Sequence, residues 1–351
     1  MYSNNIKFRP VCFDSMGAKS TCTLVTTPDT SLIIDPGAAI MHKTYPISDS
    51  AKLNYLEQAK KSVMNAAKDV EHVVISHYHY DHLLVDDKSE CIYKDKDIWI
   101  KDPNQWINFS QWDRSRKFLK WLGKIENKRI QYTRPLKTTF KDPIDELPIL
   151  RSKYYDYNQD FNEAILSGQK RFLKMSNQWA RTHWINLKTG AIHFADGKGF
   201  QKGDTKVRFS EPLFHGVEYS RTGWIISTIV ESNGAKLFYS SDLQGPVIED
   251  YAQWIINENP DILILDGPAT YLLGYMLSNK DLERSIDNAV NIIENCNLDV
   301  MIYDHHLLRD PSYKEHTSRV WETAKERGIS LLTAAEYNGD VPVLEKPGAH
   351  T

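Results

Sequence analysis

The sequence lacks several features that would assign it to a class at once. No stretch approaches the roughly 18 consecutive apolar residues that a transmembrane helix needs. Residues 1–10 contain no basic start followed by an apolar core, so no secretory signal is visible. The four cysteines form no CxxC pair and no disulfide framework. We therefore expect no membrane association and a reducing, cytoplasmic compartment.

A strong excess of one charge is also missing. The 43 basic and 46 acidic residues leave a net charge of −3 over 351 residues, so the whole protein is not a general binder of polyanions. Residues 106–137 are an exception, with nine Lys or Arg against two Asp or Glu, and the remainder is then −10. Six of the nine tryptophans also lie within residues 91–190. We interpret 91–190 as a basic, aromatic-rich and mostly helical insertion or subdomain within a single domain that spans 1–351.

The N-terminal half alternates strand and helix patterns. Residues 21–27 and 31–34 are short apolar runs separated by a Pro-Asp turn, and residues 72–76 predict a buried strand. Between them, a helix is predicted to begin at residues 48–50. Its apolar face recurs at three- and four-residue steps, at Leu53, Leu56, Ala59, Val63 and Ala66. This order of strand, helix and strand favours a layered α/β architecture.

The C-terminal half repeats that order. Strands are predicted at 206–209, 224–230, 236–239, 262–265 and 300–303, with Asn233-Gly234 as a hairpin turn. Helices are predicted at 278–296 and 313–327, the second ending before Gly328.

Ligand-type side chains are concentrated directly after the strand at 72–76. His77, His79, Asp81 and His82 occur within six residues. Alternation in an extended loop puts His77 and His79 on one side, where both can face one cation, while Asp81 and His82 can face a second. Neutral imidazole and carboxylate suit Zn²⁺, and Mn²⁺ or Fe²⁺ would also accept this set. The pattern therefore predicts a metal site.

These four residues match the HxHxDH signature of the metallo-β-lactamase-fold superfamily, which the chain resembles over nearly its whole length. Segment 32–37, with Asp35, is similar to the strand end that precedes the signature in that family. With segment 14–20 and the double histidine near the end, the chain is similar to an uncharacterised archaeal branch of the superfamily. The resemblance implies an αββα four-layer sandwich, with the insertion between the signature and the third ligand motif. Leu83-Leu84 departs from the family pattern, where many members carry small glycines.

The resemblance also implies three further ligands. His215 matches the third motif, Asp242 matches the metal-bridging carboxylate, and His305 or His306 matches the last ligand. We choose His305, because the apolar strand ends in the polar residue Asp304 and His305 lies just past that end. The implied arrangement has one metal on His77, His79 and His215, the other on Asp81, His82 and His305, and Asp242 spanning both.

Other polar residues receive plainer interpretations. We expect Asp35 to hydrogen-bond a ligand imidazole, with a simple turn carboxylate as the alternative. Arg309 could face an anionic substrate, although we expect a solvated arginine at a helix start. The remaining histidines, namely His42, His72, His183, His193, His316 and His350, are expected to be structural or surface residues.

The predicted function is metal-dependent hydrolysis at a dinuclear site. Two divalent cations, most simply zinc, would share a hydroxide that attacks a carbonyl carbon or phosphorus. Asp81 or Asp242 would orient it by accepting a hydrogen bond. Phosphodiester or nucleic-acid substrates are slightly favoured by the basic aromatic insertion. The alternatives are a small-molecule ester, lactone or thioester hydrolase and a metal-binding protein without catalysis. We also expect residues 91–190 to cover the metal cleft, with Trp and Lys/Arg side chains reaching substrate; a solvated face or an oligomer contact is the alternative.

Overall fold

The computed structural model describes residues 5–127, 129–153, 159–186 and 190–346. None of the helices in these ranges combines the length and apolar character needed to cross a bilayer. His350 lies outside the described residues. The strands are β1 (Lys7–Phe13), β2 (Thr21–Thr26), β3 (Ser31–Ile34), β4 (His72–Ile75), β5 (Asp97–Ile100), β6 (Gln131–Thr133), β7 (Trp184–Asn186), β8 (Ile192–Phe194), β9 (Gly199–Lys202), β10 (Thr205–Phe209), β11 (Leu213–Phe214), β12 (Trp224–Ile225), β13 (Thr228–Ser232), β14 (Ala235–Tyr239), β15 (Ile262–Asp266), β16 (Val300–Asp304) and β17 (Ser330–Leu332). The helices are α1 (Asp49–Ala66), α2 (Glu90–Tyr93), α3 (Phe109–Ile125), α4 (Pro148–Lys153), α5 (Gln159–Trp179), α6 (Glu249–Glu258), α7 (Asn279–Asn295), α8 (Tyr313–His316), α9 (Ser318–Arg327) and α10 (Ala334–Tyr337).

Two large sheets form the centre of the protein. The first has the order β1-β2-β3-β4-β5-β8, and the second has the order β17-β16-β15-β14-β13-β10-β9. In the first sheet β3, β4, β5 and β8 are parallel, and in the second β14 to β17 are parallel. Parallel strands end at the same edge of a sheet, so the loops after β3 and β4, and those after β14, β15 and β16, lie side by side.

The layers follow from the alternation of side chains along each strand. One face of each sheet contributes to a shared buried core, with Leu32 and Val74 from the first and Leu237 and Ile264 from the second. The opposite faces pack against helices, as Phe238 does against Trp254 of α6. The αββα sandwich predicted from the resemblance is confirmed.

Three predicted elements differ from the structure in their details. Predicted strand 224–230 is interrupted between β12 and β13, because the Ile226 amide donates to the Ser76 carbonyl at 3.1 Å instead of continuing a ladder. Predicted helix 313–327 is broken at Thr317, which separates α8 from α9. In α1, Leu53 is 54% exposed and Lys52 is buried in its place.

Two cysteines are neighbours in the first sheet, although they are not close in sequence. Cys12 and Cys22 lie opposite each other on β1 and β2, and both are buried. All four cysteines are free thiols.

Part of the predicted insertion belongs to the sandwich. β5 lies inside the first sheet between β4 and β8, so the boundary at residue 91 is placed too early. The rest of the range contributes α3, α4 and α5. Its tryptophans pack among themselves and onto the sandwich: Trp106 stacks on Phe172 with ring centroids 5.4 Å apart, and Trp179 contacts Trp224 at 5.6 Å. These rings are packing residues.

Candidate metal centre

The loop that carries the signature is held in place by Asp35. β3 and β4 are parallel neighbours, so Asp35, just past β3, lies beside Ser76, just past β4. The Ser76 amide donates to Asp35 Oδ1 at 2.7 Å, and the Ser76 hydroxyl donates to Oδ2 at 2.6 Å. Tyr239 adds a third hydrogen bond to Oδ2 from the second sheet, at 2.8 Å. The carboxylate therefore joins the two sheets directly below the histidines.

Asp35 also sets the orientation of His82. Its Oδ2 lies 2.8 Å from His82 Nδ1, which assigns the proton to that nitrogen and leaves Nε2 free. His82 Nε2 then faces Asp242 Oδ1 at 3.2 Å. The expected contact between Asp35 and a ligand-type imidazole is present.

The second sheet and the separate two-stranded sheet of β11 and β12 bring three further residues to the same point. His215 follows β11, Asp242 follows β14, and His305 follows β16. All three are buried. They meet the signature loop from the opposite side, because the carboxyl ends of β4, β14 and β16 converge on one edge of the sandwich.

Asp242 lies between two groups of imidazoles. Its Oδ2 is 3.0 Å from His215 Nε2 and 3.5 Å from His77 Nε2. Its Oδ1 is 3.2 Å from His82 Nε2 and 3.5 Å from His305 Nε2. One set of ligand atoms within 4.8 Å of one another comprises His77, His79, His215 and Asp242, and another comprises Asp81, His82 and His305. The structure thus brings together all seven residues of the predicted set, in the two groups implied by the resemblance.

The donor atoms of this cluster are unsatisfied. His82 Nε2, both ring nitrogens of His215, His305 Nε2 and both oxygens of Asp242 are buried and form no hydrogen bond with the described residues. A buried polar atom without a partner costs about 1–3 kcal/mol, and a charged one costs more. Nε2 of His82, His215 and His305 all lie within 3.5 Å of an Asp242 oxygen, and so many unsatisfied atoms at one place are unfavourable without a ligand. Divalent cations bound by imidazole nitrogen and carboxylate oxygen would satisfy them, so the residues present fit the two metal ions.

The cluster also separates the protonation states of its histidines. Burial and neighbouring imidazoles lower the pKa of His79 to about 3, so its ring is neutral and able to bind a cation. Burial opposes the charge on His82, but Asp242 and Asp35 raise its pKa to about 10. Burial likewise opposes the charge on His305, whose pKa Asp14 and Asp242 hold well above the usual value. In the metal-free cluster, His82 and His305 are therefore in the doubly protonated, charged form.

The neighbouring histidines at the end of β16 have different partners. His305 Nδ1 lies 2.7 Å from Asp14 Oδ1, so its Nε2 faces Asp242. His306 Nδ1 lies 3.1 Å from both oxygens of Asp266. Ligand atoms of Asp242, His305 and His306 also fall within 4.8 Å of one another. The choice of His305 over His306 stays a prediction, and the contact with Asp14 is its structural support.

Sequence reasoning missed two residues of the site and misjudged a third. Asp14 holds His305, and Asp266 holds His306. The expectation of a solvated Arg309 is wrong: the side chain is 8% exposed, its Nε donates to Asp14 at 2.6 Å and its Nη2 donates to Asp81 at 3.3 Å. A usable signal for Asp266 was its position at the end of a buried apolar strand, which it shares with Asp35. The other described histidines, namely His42, His72, His183, His193 and His316, join no ligand group.

A cavity of about 240 Å³ opens beside the ligand cluster. His79, Asp81, His215, His306 and Arg309 form its polar side. The loops at 217–222 and 269–277 form the rest, including an apolar wall of Val217, Leu272, Met276 and Leu277. None of the described residues of 91–190 lines it, so the expectation that tryptophans of this segment reach substrate here is not met. A larger surface cavity of about 810 Å³ along β9 and β10 contains none of the candidate ligands.

Known proteins place the chain in a family. Residues 17–85 match the sequence model of the metallo-beta-lactamase superfamily. A UPF0282 protein of Methanopyrus kandleri is 31% identical over 341 residues, covering 94% of this chain and 93% of that protein. The chain belongs to the UPF0282 family. A second member, from Sulfurisphaera tokodaii, is 31% identical over 97% of this UPF0282 chain and 90% of its own length.

The resemblance to the superfamily and to an archaeal branch of it is thereby confirmed for this UPF0282 protein. Among solved structures, Igni18, a metallo hydrolase from the archaeon Ignicoccus hospitalis, aligns with a TM-score of 0.40 and 11% identity. That alignment covers 90% of the UPF0282 chain and 92% of Igni18.

Proposed function

We propose that this UPF0282 protein is a hydrolase that depends on two divalent metal ions. The observation that supports this most directly is the position of Asp242, whose two oxygens each face a separate group of buried, unsatisfied imidazoles. His77, His79 and His215 would hold one ion; Asp81, His82 and His305 would hold the other; Asp242 would bridge them. Two such cations would lower the pKa of a water molecule and stabilise the charge that develops on the reacting group. Zinc suits these ligands best, and Mn²⁺ or Fe²⁺ remain alternatives.

The chain's own carboxylates position the reacting groups. Asp81 lines the cavity, and its Oδ2 is held by Arg309, so its Oδ1 is left to accept a hydrogen bond from the attacking group. Neighbouring cationic side chains hold the pKa of Asp81 and of Asp242 well below the usual range against the effect of burial, so both accept hydrogen bonds at neutral pH.

We propose a phosphodiester as the bond that is cleaved. Arg309 lines the cavity and has N–H groups beyond those that contact Asp14, Asp81 and Tyr271, and a guanidinium matches phosphate oxygens in geometry and charge. The cavity is smaller than the roughly 300–1,000 Å³ that is typical of drug-sized ligands. It fits an end group of a chain or a small diester.

Hydrolysis of bis-p-nitrophenyl phosphate tests this proposal, with Zn²⁺ and with Mn²⁺ supplied. We expect metal-dependent turnover that Asp242→Asn reduces by at least 100-fold. Asp287→Asn is the matched control, since Asp287 is 62% exposed and lies outside the ligand groups. Turnover that persists in Asp242→Asn, or that survives metal removal, would contradict the proposal.

A second candidate is the hydrolysis of a small ester, lactone or thioester. The apolar wall of Val217, Leu272 and Leu277 favours it, because an acyl chain could pack there. Turnover of p-nitrophenyl butyrate, a lactone or an acyl thioester without turnover of the diester would select this candidate. Tight binding of two ions with no turnover of any of these would indicate a metal-binding protein without catalysis. The four free thiols favour a reducing compartment, and we propose the cytoplasm.

A further inference from the structure

Helix α3 carries a row of cations on one face. Arg114, Lys117, Lys120 and Lys124, here called the cationic face, fall within an arc of about 120° at 3.6 residues per turn. At 1.5 Å per residue the row is about 15 Å long. The opposite face is buried through Phe118, Leu119 and Leu122 and anchors the helix on the sandwich. The row is therefore fixed in space.

These charges are not balanced by the protein. In the part of the chain that the structure describes, none of the four cations forms an ion pair with a carboxylate. Lys117, Lys120 and Lys124 are exposed. Arg129 and Arg134 extend the positive charge beyond the end of the helix, and both are also exposed. Like charges in a row repel one another, and an overall acidic chain that keeps them unpaired favours a polyanion as their partner.

The cationic face begins beside the candidate metal centre. Gln111, one turn before Arg114, accepts a hydrogen bond from the Tyr78 amide in the signature loop at 3.4 Å. Its amide group donates to the carbonyl of Thr222, a residue of the cavity wall, at 2.6 Å. Arg114 lies over the ring of Tyr80, 4.9 Å from its centroid. An extended polyanion bound along this face would thus have one end next to the signature loop.

Further cations lie on or beside the 217–222 loop, which forms part of the cavity wall. Arg221 is exposed and lies between the cavity-lining residues Ser220 and Thr222. Its carbonyl accepts from the Asn108 side chain at the start of α3, at 2.7 Å. Arg171 donates to the carbonyl of Tyr219 at 3.2 Å. Positive charge therefore continues from the cavity wall to the start of the helix.

We propose that the cationic face binds single-stranded nucleic acid and leads one end of it to the candidate metal centre. This proposal rests on the proposed function, since it names the polymer whose phosphodiester would be cleaved. Single strands rather than duplexes fit because exposed aromatic rings accompany the charges: Tyr80 is 47% exposed and Tyr132 is 49% exposed. Bases of a single strand can stack on such rings, whereas bases of a duplex cannot.

Binding is measured with metal-free, full-length protein in EDTA, so that no cleavage occurs. The probe is a 12-nucleotide single-stranded RNA or DNA of mixed sequence with a fluorescent label, followed by anisotropy. If four phosphates are contacted, the slope of log K against log salt is about −3, and affinity falls about 50-fold between 50 and 200 mM KCl. The triple variant Lys117→Glu, Lys120→Glu, Lys124→Glu should lose at least 30-fold in affinity at 50 mM KCl and show a shallower slope.

The control is a second triple Lys→Glu variant, with the substitutions made away from α3. Lys61, Lys68 and Lys325 are exposed on or beside α1 and α9, and their triple change to Glu should alter affinity less than threefold. Equal losses in the two triple variants, salt-insensitive binding, or no binding by the unmodified protein would overturn the proposal. So would binding of poly-L-glutamate as tightly as the oligonucleotide, which would indicate an acidic protein partner.

Failure of this inference can be distinguished from failure of the proposed function. Bis-p-nitrophenyl phosphate is too small to reach the cationic face, so the α3 triple variant should hydrolyse it within twofold of the unmodified protein. Hydrolysis of this diester without oligonucleotide binding would overturn the proposed role of the cationic face and leave the proposed function intact. Oligonucleotide binding that depends on the cationic face, without hydrolysis of any diester, would support nucleic-acid binding by that face. It would overturn the proposed phosphodiesterase activity.

Discussion

Several histidines of the site form a hydrogen bond with a buried aspartate through Nδ1. Asp35 holds His82, and Asp14 holds His305, each through Nδ1, so that each Nε2 is presented to Asp242. Such partners fix the tautomer and ring orientation, and their loss typically costs 10–100-fold in metal affinity. Asp35 was predicted from its position before the signature. Asp14 was not, because 291 residues separate it from its histidine.

The choice between His305 and His306 can be tested by counting metal ions. His305→Ala should leave one ion per chain, because it removes a nitrogen that faces Asp242. His306→Ala should leave two, with affinity reduced about 10–100-fold at most. Elemental analysis of protein dialysed against excess metal measures this. The reverse pattern would move the ligand by one residue.

Arg309 links the ligands of one group without being a ligand. It contacts Asp14, which holds His305, and also Asp81. Arg309→Met should reduce the free energy of unfolding of the metal-free protein by about 3–5 kcal/mol, because it removes the guanidinium partner of two carboxylates, the buried Asp14 and the largely buried Asp81. Urea denaturation measures this.

Arg319→Met is the control for that substitution. Arg319 is 53% exposed, and its ion pair with Asp287 lies on the surface, where such pairs contribute about 0–1 kcal/mol. A similar loss of stability in both variants would show that burial of the Arg309 network contributes nothing.

Metal affinity should rise with pH. Burial disfavours the charged form of His82 and of His305, but carboxylates raise the pKa of His82 to about 10 and that of His305 well above its usual value. Both rings are therefore doubly protonated near pH 7 in the metal-free protein, and a metal ion must displace the proton on Nε2. Because a raised pKa means that protons compete more strongly as the pH falls, affinity should increase from pH 6 to pH 9.

Titration calorimetry in two buffers with different ionisation enthalpies counts the protons released. We expect about two per chain at pH 7. Affinity independent of pH, with no proton release, would contradict the protonation states inferred here.

At the scale of elements, strand ends explain the site. The predicted strands 72–76, 236–239 and 300–303 are each followed within three residues by a candidate ligand, and the structure has strands at all three. Their lengths were predicted well because buried strands are continuous apolar runs. Whether a run continues was harder to predict, since the break in 224–230 depends on a hydrogen bond to Ser76 in a distant loop.

Helix α1 shows how far periodicity determines a buried face. The sequence pattern placed Leu53 and Val63 on one face, yet Leu53 is 54% exposed and Val63 is fully buried. Leu53→Lys should change the free energy of unfolding by less than about 0.5 kcal/mol. Val63→Ala should reduce it by about 1–3 kcal/mol, since it leaves a cavity against the first sheet.

Thermal or urea unfolding of these two variants gives both values. Lys61→Ala, on the exposed side of the same helix, is a control for general effects of substitution. A large loss in Leu53→Lys would mean that Leu53 is packed in solution.

At the scale of the whole molecule, the metal centre joins two sheets. The signature follows a strand of the first sheet, whereas Asp242 and His305 follow strands of the second. Ions held between them would therefore stabilise the contact between the sheets as well as the site. A ligand that binds only the folded state adds about 4 kcal/mol when its free concentration is 1,000 times its dissociation constant.

Removal of metal should therefore lower the unfolding temperature. We expect EDTA to reduce the Tm by several degrees, and added Zn²⁺ to restore it. The variant Asp242→Ala should show a much smaller response to metal, because it lacks the bridging carboxylate. An EDTA effect of equal size in both proteins would place the stabilising ion elsewhere.

The sequence by itself determined several local features: the buried strands near 32, 74, 237, 263 and 301, the hairpin at Asn233-Gly234, the signature residues and, through resemblance, the layered fold. Those follow from periodicity, turn chemistry and the spacing of ligand-type residues along short stretches. Only the tertiary structure decided which carboxylates hydrogen-bond the histidines. It also decided that Arg309 is buried and that the tryptophans of 91–190 pack in a core. These depend on contacts between residues up to nearly 300 positions apart, as between Asp14 and Arg309, and such contacts form only when both sheets close on one another.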